Sequence, residues 1–339
     1  RQQIEEDIKW AFEQVRNKLV VGSQRALQFG GTPIERNNLR SFNCCFSYCD
    51  RLRFFQEAMY LLLCGCGTGF SVQTHHVAKL PEFNSHALNN QWIGEKEYII
   101  PDSIEGWGDA LGVLLSSYFQ SPVFPEYYGY TVHFNFSQIR RKGSSFSHGV
   151  GKAPGPSGLR ASLNKIKKLL DRCIHLGQTR LRTIDAHDIV MHSSDAVLSG
   201  GIRRSSAISL FSIDDEDMAK AKTGNWFVTN PQRARANNSV VLVKDKITFD
   251  DFNKVMQNTK EFGEPGLLFV DSTEQGVNPC GEASFYCYLD EEEMQSGWQF
   301  CNLTSINGSK VKSLEDWKTA VRAATIIGTC QAGYTHFPY

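Results

Sequence analysis

Apolar side chains at Ile4, Ile8, Trp10, Phe12, Val15 and Leu19 recur mostly at helical spacing and predict a helix over residues 3 to 19. Arg40 to Tyr48 reads as a strand behind the turn formers Asn37 and Asn38. Leu52 to Leu63 reads as a helix stopped by Gly65, Gly67 and Gly69, and Phe70 to Thr74 then alternates as a strand does. A further helix is predicted over Gly108 to Phe119 and a further strand over Tyr130 to Phe136. Residues 142 to 158 form a Gly/Ser/Pro-rich loop, long enough to be functional or disordered. Leu163 to Leu176 is amphipathic, and its Lys165, Lys167, Lys168 and Arg172 read as a solvated face. Ser205 to Phe211 alternates, Val240 to Val243 and Gly266 to Val270 read as short buried strands, and Phe249 to Phe262 is helical between those two. Strands and helices taking turns predict a parallel α/β architecture. No internal repeat points to a solenoid.

Composition narrows the function classes. The chain has 339 residues with 36 basic and 36 acidic side chains, so it lacks the basic excess of a nucleic-acid footprint. No apolar run reaches the roughly 18 residues of a membrane span. The chain opens on Arg1 without the layout of a secretion signal, and Thr335 to Tyr339 follow an apolar segment directly. Both ends look cut, and the expectation is a piece of something longer. Ten cysteines are too dilute for a disulfide scaffold, and without a secretion signal a reducing cytoplasm is the expected compartment. There they serve packing, redox chemistry or metal binding. Cys45 with Cys49, Cys64 with Cys66, and His75-His76 are spaced irregularly for zinc, so no residue is assigned as a metal ligand.

The sharpest local signal is Val277-Asn278-Pro279-Cys280-Gly281-Glu282. In an extended segment, side chains two apart share a side, so Asn278, Cys280 and Glu282 would face one cavity as amide, thiol and carboxylate. Pro279 would stiffen the loop and Gly281 would admit a close neighbour. A surface turn with an incidental cysteine is the competing reading, at even weight from spacing alone.

The core of this hexapeptide, Asn278 to Glu282, resembles the finger-loop motif of ribonucleotide reductases, in particular the adenosylcobalamin-dependent class. Other segments resemble that family in the same order. Asn37 to Phe46 looks like its first active-site strand, and Gly65 to Val72 like its glycine-rich turn into the second strand. Lys142 to Gly158 and Ser199 to Arg204 resemble its two specificity loops. Phe300-Cys301-Asn302-Leu303 looks like the strand of its second redox cysteine, and Asp102 to Trp107 is similar to the triphosphate-reducing branch.

The resemblance implies a ten-stranded α/β barrel with a central finger loop, here incomplete. An N-terminal helical segment would cover residues 1–30 and the first part of the barrel 31–339. The specificity loops would fall at about 142–158 and 199–205, and the finger loop at about 274–284. It implies reduction of ribonucleotides, triphosphates in this branch, to deoxyribonucleotides. Cys280 would be the thiyl-radical cysteine, buried and neutral; Glu282 would be the general base on the ribose 3′-hydroxyl, and Asn278 a hydrogen-bonding partner of the ribose. Cys44 and Cys301 would be the dithiol that closes to a disulfide. Cys45 stays open as the alternative to Cys44, and Cys287 is a weaker rival to Cys301. Asn43 and the loop residues Gly200, Gly201 and Arg203 would serve substrate and specificity, with no metal ligand. The implied cofactor is adenosylcobalamin. Implied partners are a ribonucleotide substrate, a deoxynucleotide effector, a thioredoxin-type reductant and a complementing C-terminal reductase fragment; neither nucleic acid nor membrane is among them. The alternatives are a metal-radical-dependent reductase large subunit, or a catalytically inactive nucleotide-binding or zinc-binding module.

Overall fold

The structure, a computed structural model, describes residues 1–145, 152–198, 206–290, 292 and 295–339. Gly200, Gly201 and Arg203, with the middle of the 142–158 loop, lie outside the described residues. The chain divides into two compact units, Phe46–Gln299 and a smaller one made of Arg1–Cys45 with Phe300–Tyr339.

In the larger unit Gly67–Ser71, Ala207–Ser212, Ala236–Val243 and Gly266–Val270 stand side by side, every pair parallel. Ser209 sits between Phe70 and Asn238 in the ladder. The Phe46–Tyr48 part of strand Cys44–Tyr48 borders Gly67–Ser71. Parallel strands are covered on both faces, which is why they read as nearly continuous apolar runs. Phe70, Leu210, Phe211, Val240 and Leu242 are all buried here. Helices Arg53–Cys64, Ile104–Tyr118, Ser157–His175 and Thr183–Leu198 supply the rest of the core through residues such as Met59, Leu111, Ile166 and Ile189. Helix Ser157–His175 buries Leu163, Ile166, Leu170 and Cys173 and turns Lys165, Lys168 and Arg172 outward, as its pattern predicted.

The structure departs from the sequence expectation in several places, and Gly266–Val270, expected as a buried strand, buries only Val270 fully. Residues 38–41 form a 3-10 turn ahead of Cys44–Tyr48, because the Asn37 side chain accepts from the Leu39 N–H and Asn38 donates to the Ile34 carbonyl. The strand expected at Phe70 begins at Gly67. Ser103 caps a helix that starts at Ile104, earlier than Gly108, by accepting from the Gly106 N–H at 2.9 Å. Helix Thr183–Leu198 escaped the apolar pattern because its buried face carries Asp185, His187, Asp188, Ser193 and Ser194. Asp188 accepts two bonds from Arg233, at 2.9 and 2.8 Å. Burial opposes its ionisation, but the hydrogen bonds of His187 and Arg233 outweigh that and hold the carboxyl well below its ordinary range.

In the smaller unit helix Gln2–Arg16 packs on Leu314–Ala332 through the small residues Ala11, Ala320 and Ala323, all fully buried. Val20–Val21 pairs antiparallel with Ser305–Ile306. Among the described residues no helix is long and apolar enough to cross a membrane.

Candidate active site

Residues 276 to 285 form a small antiparallel hairpin, with Val277 opposite Ser284 and Gly276 opposite Phe285. Two residues per strand do not hold themselves in water, so the hairpin depends on what it packs against. Beneath it lies the fully buried Phe46. A Cβ on Gly276 would fall 2.0 Å from the Phe46 ring, and one on Gly69 2.6 Å from the Val277 carbonyl oxygen. The glycine-rich segment thus brings the hairpin backbone down onto the sheet. Phe285 stacks over Phe46 with centroids 6.4 Å apart, and the Tyr48 hydroxyl donates to the Glu274 carbonyl at 2.5 Å.

The tip is a tight turn rather than an extended segment. Gly281 N–H donates to Asn278 O at 2.9 Å, with Pro279 and Cys280 as the central residues. Gly281 has φ +80°, and a Cβ there would meet nothing within 4 Å. It is needed for its backbone conformation, not for the close approach expected from the sequence. Asn278 is fully buried and locks the turn: its Nδ2 donates to Glu282 Oε1 at 2.9 Å and its Oδ1 accepts from Ala283 N–H at 3.0 Å. Amide and carboxylate therefore meet directly, with Cys280 at the crest.

Cys280 is exposed, against the expectation of a buried thiol. The physical reason is local: the contacts with Phe46 and Phe285 end at the hairpin base, and the turn carries Cys280, Gly281 and Glu282 beyond them.

The two redox candidates lie in the smaller unit on neighbouring strands. Asn43 N–H donates to Cys301 O at 3.3 Å, and Cys44 follows Asn43 directly. Adjacent strands run about 4.8 Å apart, a spacing compatible with a disulfide between facing residues. Cys44 and Cys301 are each 4% exposed, so both thiols are shielded. Side chains alternate along Cys44–Tyr48, which puts Cys44 on the side of its strand shared by Phe46 and Tyr48, and Cys45 on the other with Ser47. Cys287 is otherwise engaged: its thiol donates to the Phe46 carbonyl at 3.2 Å, and burial pushes its pKa up to about 12. Cys49, Cys64, Cys66 and Cys173 are buried as packing residues, whereas Cys330 is exposed.

Residues that sequence reasoning passed over hold this arrangement. Ser23 Oγ donates to Asn43 Oδ1 at 2.7 Å, and Gln331 Oε1 accepts from Ser23 N–H at 2.7 Å. Gln331 Nε2 donates to Asn302 Oδ1 at 2.6 Å. The neighbours of Cys44 and Cys301 are thus joined through Gln331, 308 positions from Ser23, a link that no local pattern announces. The close approach of Gly276 to Phe46 is likewise announced by no local pattern.

No family model matches the chain. It is 27% identical over 266 residues to a probable adenosylcobalamin-dependent ribonucleoside-triphosphate reductase of Dictyostelium discoideum, covering 71% of this chain and 31% of that protein. The adenosylcobalamin-dependent ribonucleoside-triphosphate reductase of Lactobacillus delbrueckii subsp. bulgaricus is 25% identical over 335 residues, 79% of this chain and 44% of its own length. The Lactobacillus helveticus protein of the same name is 23% identical, covering 88% of this chain and 50% of its own length. The chain therefore spans about a third to a half of these curated relatives. A crystal structure of a B12-dependent, class II ribonucleotide reductase superposes with a TM-score of 0.71 at 22% identity, covering 93% of this chain and 50% of the other. In sequence the chain is a homologue of the adenosylcobalamin-dependent ribonucleoside-triphosphate reductases, and its mixed α/β fold matches part of the class II ribonucleotide reductase barrel.

Proposed function

We propose that this chain carries the radical and redox cysteines of an adenosylcobalamin-dependent reduction of ribonucleoside triphosphates to deoxyribonucleotides. The observation that supports it most is the hairpin tip, where a turn locked by Asn278 and Glu282 presents Cys280. The relatives' names supply the substrate class and the cofactor.

Cys280, as a thiyl radical, takes the 3′ hydrogen atom of the ribose and returns it at the end of the cycle. S–H and activated C–H bonds are comparable in strength, so the transfer is reversible. Glu282 accepts the 3′-hydroxyl proton, and Asn278 hydrogen-bonds the sugar in place of its Glu282 contact. The 2′-hydroxyl leaves as water, with two electrons and two protons supplied by Cys44 and Cys301 as they close to a disulfide. Cys44 is preferred to Cys45 because it follows Asn43, as the resemblance implies. A thioredoxin-type reductant restores the dithiol.

Adenosylcobalamin, when bound, supplies the carbon-centred radical that removes the thiol hydrogen. Cys280 is exposed, which is compatible with approach of such a group from outside this chain. No residue of this chain is assigned to hold it. The remaining length of the relatives corresponds, in this reading, to a complementing C-terminal reductase portion that covers the tip and contributes the rest of the barrel. A deoxynucleotide effector acts through the specificity loops, and the compartment is the cytoplasm.

The test is turnover of a ribonucleoside triphosphate by the chain together with such a C-terminal portion and adenosylcobalamin. Cob(II)alamin and thiyl signals by electron paramagnetic resonance are expected, with turnover abolished by Cys280→Ser. Activity restored only by a separate metal-radical subunit would reverse the cofactor assignment. Turnover that survives Cys280→Ser would end the reading.

A further inference from the structure

A second cluster of chemically active side chains sits at the foot of the hairpin, within the larger unit. His75 and His76 belong to the short helix Thr74–Val77, and Glu274 lies four residues before Asn278. Glu274 Oε1 stands 2.8 Å from His75 Nε2 and Oε2 3.0 Å from His76 Nε2. The three ligand atoms fall within 4.8 Å of one another. Two imidazole nitrogens and a carboxylate are the donor set of a zinc site with three protein ligands and an open fourth position.

The surroundings match what such a site requires beyond its ligands. The far nitrogen of His76, Nδ1, lies 2.9 Å from Ser71 Oγ, a contact that orients the ring. The Tyr48 ring stacks on His76 at 4.2 Å. His76 is fully buried, while the His75 side chain is 40% exposed and leaves a path from solvent. Among the described residues this is the one such cluster, and no cysteine belongs to it. The irregular cysteine pairs of the sequence are thus not where the metal-binding chemistry gathers.

We propose that His75, His76 and Glu274 bind one divalent transition-metal ion, zinc by donor set, which clamps the base of the hairpin that carries Cys280. Glu274 is the only ligand on the hairpin side, so the ion would tie that segment to the helix bearing both histidines. The site stands independently of the reductase reading, because its readouts involve no turnover.

The purified chain, freed of metal by a chelator, is titrated with zinc against a chromophoric competitor and, separately, with Co2+. One ion per chain is expected, with visible Co2+ bands of nitrogen and oxygen ligation. Binding should weaken at least tenfold in both His75→Gln and Glu274→Gln. His75 is partly exposed, so its variant keeps the test open should Glu274→Gln fail to fold. Zinc should also slow amide hydrogen exchange across residues 274–285 in the native chain and not in His75→Gln. Absence of stoichiometric binding, binding indifferent to His75→Gln, or a thiolate-to-cobalt charge-transfer band would each overturn the proposal.

Discussion

Two glycines of the hairpin, five positions apart, should respond to the same substitution for different reasons. A methyl on Gly276 would lie 2.0, 2.3 and 2.4 Å from three carbons of the Phe46 ring. Carbon atoms in contact prefer about 3.5–4.0 Å, so something must move by well over an ångström. Phe46 is fully buried, so its ring cannot swing out into solvent without disturbing its neighbours. Overpacking of this kind costs about 1–3 kcal/mol, and the size of the overlap puts Gly276→Ala near about 3 kcal/mol. Gly281→Ala meets no neighbour within 4 Å and bears only the strain of a φ of +80°. That strain costs about 1–2 kcal/mol. Urea unfolding of both variants gives the comparison. A cycle with Phe46→Leu should show Gly276 and Phe46 coupled by about 0.5–3 kcal/mol, since trimming the ring relieves the clash, and Gly281 uncoupled. Equal costs for the two variants, together with no coupling to Phe46, would refute the placement of the hairpin on this ring.

A thiol reagent applied to the folded chain should label two cysteines quickly, Cys280 and Cys330, and all ten only after unfolding; rapid labelling of Cys44 or Cys301, located by mass spectrometry, would contradict their burial. Burial holds the His76 imidazole below its ordinary range despite its Glu274 bond. The unfolded chain therefore binds a proton that the folded chain refuses, and in the presence of chelator the urea midpoint should fall as pH drops through about 6.5. Burial raises the Glu274 carboxyl, but the bonds from His75 and His76 outweigh this and leave it below the carboxylate range. Its contribution should persist above about pH 4.3 and disappear below, a lower limb that Glu274→Gln removes. Arg233→Met strands the buried Asp188 and should cost about 3–5 kcal/mol in urea unfolding, with Asp188→Asn/Arg233→Met less costly than Arg233→Met alone.

Much of the fold was legible because its strands and helices carry one-dimensional patterns. The apolar runs Val240 to Val243 and Gly266 to Val270 became parallel neighbours, and Phe249–Phe262 is helical over the span its periodicity predicted. Helix Thr183–Leu198 was not legible, since burying Asp185, His187 and Asp188 against arginines and polar neighbours breaks the apolar code that periodicity reads. The candidate site was legible in its residue types and not in its shape. Alternation placed Asn278, Cys280 and Glu282 together, but Pro279 and Gly281 favour a turn, which brings amide to carboxylate and lifts the thiol outward. The partnership of His75 and His76 with Glu274 spans about two hundred positions and has no sequence signature.

The position of Gln331 has a consequence for the cysteine couple. Its one amide group serves Ser23, Asn302 and the Leu303 carbonyl, so the strands of Cys44 and Cys301 are braced by the last helix rather than by each other alone. Proteolytic trimming or a frameshift just upstream of that glutamine would spare every nominated cysteine and still loosen the two strands that carry Cys44 and Cys301. In the proposed reading, loss of the dithiol chemistry would then come from a scaffold joint far from those cysteines in sequence.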